Sequence, residues 1–231
     1  MIRVIAFDLD DTLWQVGPVI IKAEQKLGQW LVSEVPNLKY NVTAMRQLRS
    51  EVLKEHPSIA HRLTEFRRRL IEKAMLKSDI PAGQANLMSQ RAMEVFLTAR
   101  NEVVFFEGAL EVIGEVARDY QLGALTNGNA DIERLGLGNH FSFAFSAEQV
   151  GAPKPAPDLF LAALEYTSCE PHEMVYVGDD PIKDVDSANK LGLHTVWIRN
   201  DSRPGPGETN PDRAIDDIRE LPAAIEILGN L

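Results

Sequence analysis

The stretch Ile5-Ala6-Phe7-Asp8-Leu9-Asp10-Asp11-Thr12 is an apolar run that stops abruptly at carboxylates. Val4 to Phe7 reads as a short buried strand. Such a strand ordinarily ends in Gly, Asn or one Asp, whereas here Asp8, Asp10 and Asp11 fall within four residues. Crowded like charges are unfavourable unless something neutralises them. A hard divalent cation held by oxygen ligands does so, and Mg²⁺ suits a site of few carboxylates that also holds a substrate phosphate. The stretch predicts a metal-assisted phosphoryl site. The alternative is a plain acidic turn in which Asp10 or Asp11 caps the next helix.

Outward from this strand the chain shows a long helical block and then an alternation of helices and strands, the order of a parallel sheet with a helical insertion. Helical spacing marks Val19 to Val35, Val42 to Lys54, Ile59 to Lys77 and Gln84 to Ala99, with breaks at Pro36, Pro57 and Pro81. These predict a four-helix bundle over residues 16–100, with the remainder, 1–15 and 101–231, forming an α/β core. In the core, strands are predicted at Gln121 to Thr126, Phe141 to Ser146, Met174 to Val177 and His194 to Ile198, with a weak one near Ala214. Helices are predicted at Gly108 to Arg118, Ala130 to Leu135, Pro157 to Tyr166, Pro181 to Leu191 and Ile218 to Leu228, and a loop at Arg203 to Glu208. The strands are compact and apolar, as strands covered by helices on both faces are.

Ligands of an open parallel sheet sit beyond the carboxyl ends of its strands. Here those ends carry Asp8 and Asp10, then Thr126-Asn127-Gly128, then Gly178-Asp179-Asp180 with Asp184 further on. Lys154 lies in the Pro-rich segment Gly151 to Pro155. Carboxylates, a hydroxyl and a lysine are expected to converge on one edge.

Composition narrows the function classes. With 231 residues, 45% of them hydrophobic and 25% charged, the chain fits a globular protein and neither a disordered nor a fibrous one. A net charge of −10 argues against a broad basic face, so no nucleic acid and no membrane is expected as partner. The one cysteine, Cys169, excludes an internal disulfide and fits a reducing cytoplasm; no leader or membrane-spanning run is visible ahead of or within the predicted fold. The expected partner is a small phosphate ester, taken up by a monomer or homodimer.

These motifs, in order, resemble the haloacid dehalogenase superfamily of aspartate-nucleophile phosphohydrolases. The likeness rests on Phe7-Asp-Leu-Asp-Asp-Thr-Leu13, Leu125-Thr-Asn-Gly128, Lys154 within Ala152 to Asp158, and Val177-Gly-Asp-Asp-Pro-Ile-Lys-Asp184. It implies a Rossmann-like core and a helical cap. Asp8 would be the nucleophile that forms an aspartyl-phosphate, and Asp10 the acid and base for the leaving oxygen and the water. Thr126, Asn127, Gly128 and Lys154 would meet the phosphoryl oxygens. Asp8, Asp179, Asp184 and the backbone carbonyl of Asp10 would hold Mg²⁺, with Asp184 acting through a bound water. Asp180 is read equally as a helix N-cap or an outer metal contact, and Asp11 as a turn residue. Asp10 favours phosphatase over dehalogenase, because a halide leaving group needs no general acid; a phosphomutase uses the same residues. Trp14 is expected either to stack on a substrate ring or to plug the seam where the chain leaves the core. Arg67, in the basic run from His61 to Arg69, belongs either to a solvated face or to the substrate cleft. Further stretches, Pro18-Val-Ile and Arg67 to Leu76 among them, resemble bacterial phosphatases acting on flavin mononucleotide and on the ribitylaminouracil phosphate of riboflavin synthesis; nucleotides and sugar phosphates are the alternative substrates.

Overall fold

The computed structural model describes residues 1–200 and 205–230. Arg203 and Pro204 of the expected loop lie outside the described residues. Six parallel strands, β1 (Val4–Phe7), β2 (Gln121–Thr126), β3 (Phe141–Ser146), β4 (Met174–Gly178), β5 (His194–Ile198) and β6 (Arg213–Ile215), form one sheet in the order β3-β2-β1-β4-β5-β6. β1 and β4 are buried along their whole length, which explains why both read as unbroken apolar runs rather than as alternating ones. Phe7 pairs with Ala124 on one side and with Val177 on the other. Asp8 therefore emerges between the ends of β2 and β4, where the strand order reverses and a crevice opens. On β2, Gly123 is required by packing, since a Cβ there would lie 1.9 Å from the ring of Phe143.

The chain divides into two compact units, residues 1–15 with 104–231, and residues 16–103. The second is helical: α1 (Val16–Glu34), α2 (Val42–Met45), α3 (Arg49–Glu55), α4 (Leu63–Leu76) and α5 (Ala82–Arg100). Ala23, Leu27 and Leu31 of α1, Phe66, Leu70 and Ala74 of α4, and Ala85, Ala92 and Phe96 of α5 share one core. Their four- and seven-residue spacings are the helical stripe seen in the sequence. The second expected helix is divided. A 3₁₀ turn at Arg46–Leu48 separates α2 from α3. It brings Met45 and Leu48, three residues apart and both buried, onto one side.

The sheet-bearing unit adds α6 (Ala109–Val116), α7 (Ala147–Val150), α8 (Asp158–Thr167), α9 (Ser187–Lys190) and α10 (Leu221–Gly229). Two expected helices differ. Ala130 to Leu135 is a run of turns: Asp131 Oδ1 accepts the N–H groups of Glu133 and Arg134 at 2.9 and 3.4 Å, offering the backbone an alternative to the helix. Pro181 to Leu191 begins as a π-helical turn, Pro181–Asp186, before α9. In that turn Asp180 O accepts from both Asp184 N and Val185 N. Short π turns of this kind are frequent at functional sites, and Asp184 lies within this one.

Candidate active site

Asp8 leaves β1 with its N–H still bonded to Val177 O at 2.8 Å, so the ladder with β4 carries the carboxylate to the strand end. Its Oδ1 is 2.7 Å from Lys154 Nζ. The same ammonium donates to Asp184 Oδ1 at 2.7 Å and to the Tyr176 hydroxyl at 2.6 Å. Asn127 holds the lysine backbone at both ends, accepting from Lys154 N at 2.7 Å and donating to Lys154 O at 2.9 Å. That clamp fixes where the lysine stem starts. The Lys154–Pro155 peptide is cis.

Asp179 accepts from Thr12 on Oδ1 at 3.4 Å, from Asn200 Nδ2 on Oδ2 at 2.8 Å, and from the Trp197 indole on its backbone carbonyl at 2.9 Å. Asp184 accepts from Asp180 N at 2.9 Å and packs against the end of β4. A Cβ on Gly178 would lie 2.5 Å from Asp184 Cγ, so only glycine admits the carboxylate there. Asp180 caps the π turn, its Oδ1 accepting from Ile182 N and Lys183 N at 3.0 and 2.9 Å. Asp11 sits in the left-handed region at φ +61 and turns the chain.

The electrostatics follow from burial. Asp8, Lys154, Asp179 and Asp184 are all nearly inaccessible to solvent. Burial pushes the Asp8 carboxyl up to about 8; Asp184 and Asp179 add to the rise and Lys154 opposes it. Burial works against the charge of Lys154, but Asp184 and Asp8 outweigh it and hold the ammonium above the usual lysine range. Burial, with the same carboxylates, places the Tyr176 phenol well above its ordinary value. Oxygens of Asp8, Asp179 and Asp184 lie within 4.8 Å of one another. Three carboxylates against one ammonium leave an excess of negative charge that a divalent cation would cancel. An all-oxygen, buried donor set fits a hard one.

The remaining expected site residues have the following partners. Thr126 Oγ1 accepts from Gly128 N at 2.9 Å; that N–H is spent on the threonine, whose hydroxyl proton is left to be donated. Trp14 is fully buried, with its indole N–H on Asp10 Oδ1 at 3.0 Å and its ring edge-on to Phe105. Arg67 packs within the helical unit, over the Phe96 ring at 3.9 Å and 3.4 Å from Glu24. These two partners engage its guanidinium within that unit. Thr12, Tyr176 and Asn200 escaped the sequence reading. Tyr176 alone left a trace: it is the one polar tip in Met174-Val-Tyr-Val-Gly178 and shares a strand face with Gly178.

Comparison with known proteins agrees with this geometry. Residues 2–192 match the haloacid dehalogenase-like hydrolase family. The 5-amino-6-(5-phospho-D-ribitylamino)uracil phosphatase YigB of Escherichia coli is 34% identical over 199 residues, covering 86% of this chain and 84% of that protein. The phosphoserine phosphatase of Thermus thermophilus is 30% identical, covering 95% and 97%. A crystal structure of a 2-haloacid dehalogenase from Pseudomonas syringae pv. Tomato superposes with a TM-score of 0.93 at 35% identity, covering 98% and 99%. With the family matched over most of its length, and phosphatases among its relatives, this chain belongs to the haloacid dehalogenase-like hydrolase family and is a phosphoric monoester hydrolase.

Proposed function

We propose that the chain hydrolyses a small phosphate monoester through an aspartyl-phosphate on Asp8, with Mg²⁺ as cofactor. The observation that carries this reading is the single buried ammonium of Lys154 bridging Asp8 and Asp184 beside Asp179. One Asp8 oxygen attacks phosphorus as the ester P–O bond breaks, and Asp10 gives its proton to the departing oxygen. Water then attacks the aspartyl-phosphate while Asp10 takes a proton back, releasing inorganic phosphate. Lys154 restrains Asp8 and, with the Thr126 hydroxyl and Asn127 N–H, meets the phosphoryl charge. Mg²⁺, held by Asp8, Asp179, Asp184 and the Asp10 carbonyl, would neutralise the approach of one anion to another.

The similarity to YigB supports the ribitylaminouracil phosphate of riboflavin synthesis, or flavin mononucleotide, as substrate. The helical unit then serves as the cap. The lone cysteine supports a cytoplasmic setting; among the described residues no helix is long and apolar enough to cross a membrane. A second reading, dehalogenation, is favoured by the Pseudomonas structure. Against it stand Asp10 and the carboxylate cluster, which a halide leaving group does not need. One panel tests both: kcat/KM for flavin mononucleotide, the ribitylaminouracil phosphate, nucleotides and sugar phosphates, alongside halide release from 2-chloropropionate. Phosphate release that requires Mg²⁺, with the flavin-type esters ahead and no halide, supports the proposal; halide release without metal overturns it.

A further inference from the structure

The loop after β1 folds back so that residue 14 returns beneath residue 10. Asp11, at φ +61, makes the reversal, and its N–H bonds Trp14 O at 2.8 Å. Leu13 N bonds Leu9 O at 2.9 Å and closes the turn. The side chains of Asp10 and Trp14 then meet through a 3.0 Å hydrogen bond from the indole to Oδ1. The indole is itself gripped: Trp14 pairs antiparallel with Phe105, the rings stand edge-on at 5.5 Å, and Phe106 N donates to Leu13 O at 2.8 Å. Residues 13–14 and 105–106 are where the chain leaves the sheet-bearing unit and where it re-enters it.

We propose that Trp14 is a positioning residue that sets the orientation of the Asp10 carboxyl, and that Phe105 locks it, so that the pair of connecting segments controls proton transfer to the leaving group. This rests on the reading of Asp10 as acid and base. An N–H donated to Oδ1 makes that oxygen the carbonyl-like one and leaves the acid proton on Oδ2. The proton moves from Oδ2 to the ester oxygen as the P–O bond breaks, and water returns a proton to the same carboxylate in the second step. A carboxyl on a two-torsion side chain otherwise samples several rotamers, and proton transfer tolerates little misalignment.

The test exploits leaving-group chemistry. A nitrophenolate departs without protonation, whereas an alkoxide needs the acid. Trp14→Phe and replacement of Trp14 by 3-benzothienylalanine, which keeps the ring shape but lacks the N–H, are compared with Asp10→Asn in the full chain. The reading is kcat/KM on p-nitrophenyl phosphate and on glycerol phosphate. The expected result is a loss about tenfold or more greater on the alkyl ester in both Trp14 variants, in the same direction as Asp10→Asn, with a smaller selective loss in Phe105→Leu. Equal losses on the two esters in the benzothienylalanine protein, while Asp10→Asn remains selective, overturn the positioning role and leave the Asp10 assignment standing. No selectivity in Asp10→Asn removes that assignment, and this proposal with it.

Discussion

The Lys154 ammonium lies 2.7 Å from Asp8 Oδ1, and neither side chain is reached by bulk solvent to more than a small extent. A buried cation in contact with the reacting oxygen can steady the carboxylate and meet the incoming phosphate, and both jobs end with its charge. Lys154→Met is expected to lower kcat by about a hundredfold or more, the scale of removing one strong transition-state donor. Because Asp8 and Asp184 lose their partner, the metal-free variant should also melt earlier than the parent, and Mg²⁺ should recover more of its Tm than of the parent's. Thermal melts with and without Mg²⁺, beside steady-state kinetics, check this; an unchanged kcat would remove Lys154 from the site.

Asp8→Asn separates chemistry from stability. The amide cannot form an acyl phosphate, so turnover with any ester should vanish. The same change removes a buried carboxyl whose charged form is disfavoured, so the metal-free variant should be more stable than the parent. A less stable Asp8→Asn protein would contradict the charge crowding inferred for the site.

Stability and metal binding should both follow pH through Asp8. Its carboxyl titrates near 8 in the folded protein against 3.8 ordinarily. The folded metal-free protein therefore keeps a proton that the unfolded chain has lost over that interval. Its stabilising contribution is fully present below the lower value and is lost as pH rises through the upper one. Metal-free Tm is expected to fall between about pH 5 and about pH 8, and Mg²⁺ should raise Tm more at the higher pH, where it no longer competes with the proton. Equal Mg²⁺-induced shifts at both ends would argue that Asp8 is not a ligand.

Gly178→Ala tests the seat of Asp184. A methyl 2.5 Å from Asp184 Cγ must displace the carboxylate or the strand end, an overpacking that destabilises by about 1–3 kcal/mol. We expect weaker Mg²⁺ binding by titration calorimetry together with a lower Tm. Unchanged affinity would place the metal elsewhere.

Much of this molecule was legible in the amino-acid sequence. β1, β2, β4 and β5 are short apolar runs that end in polar residues. A strand's burial and its end are written in its own few residues, so Asp8, Thr126 and Asp179 could be placed at one sheet edge from the sequence alone. The helices of residues 16–103 were legible for the same reason, through the spacing of Leu27, Leu31, Leu70 and Phe96. Where a side chain could choose its partner, the sequence left the choice open. The sequence around Arg67 suits a surface or a cleft cation, and the residue lies over Phe96 and near Glu24. Ala130 to Leu135 has helical composition, and the Asp131 side chain competes for its backbone. Trp14 was suited equally to a ligand or a seam, and the turn at Asp11 gave it to Asp10. Tyr176 and Asn200 carried no motif; they reach Lys154 and Asp179 across 22 and 21 residues of chain. Periodicity and strand-end chemistry are local, and a sequence states them directly. Which donor meets which acceptor depends on backbone paths that come together only when the sheet is assembled, so the tertiary structure alone decided it.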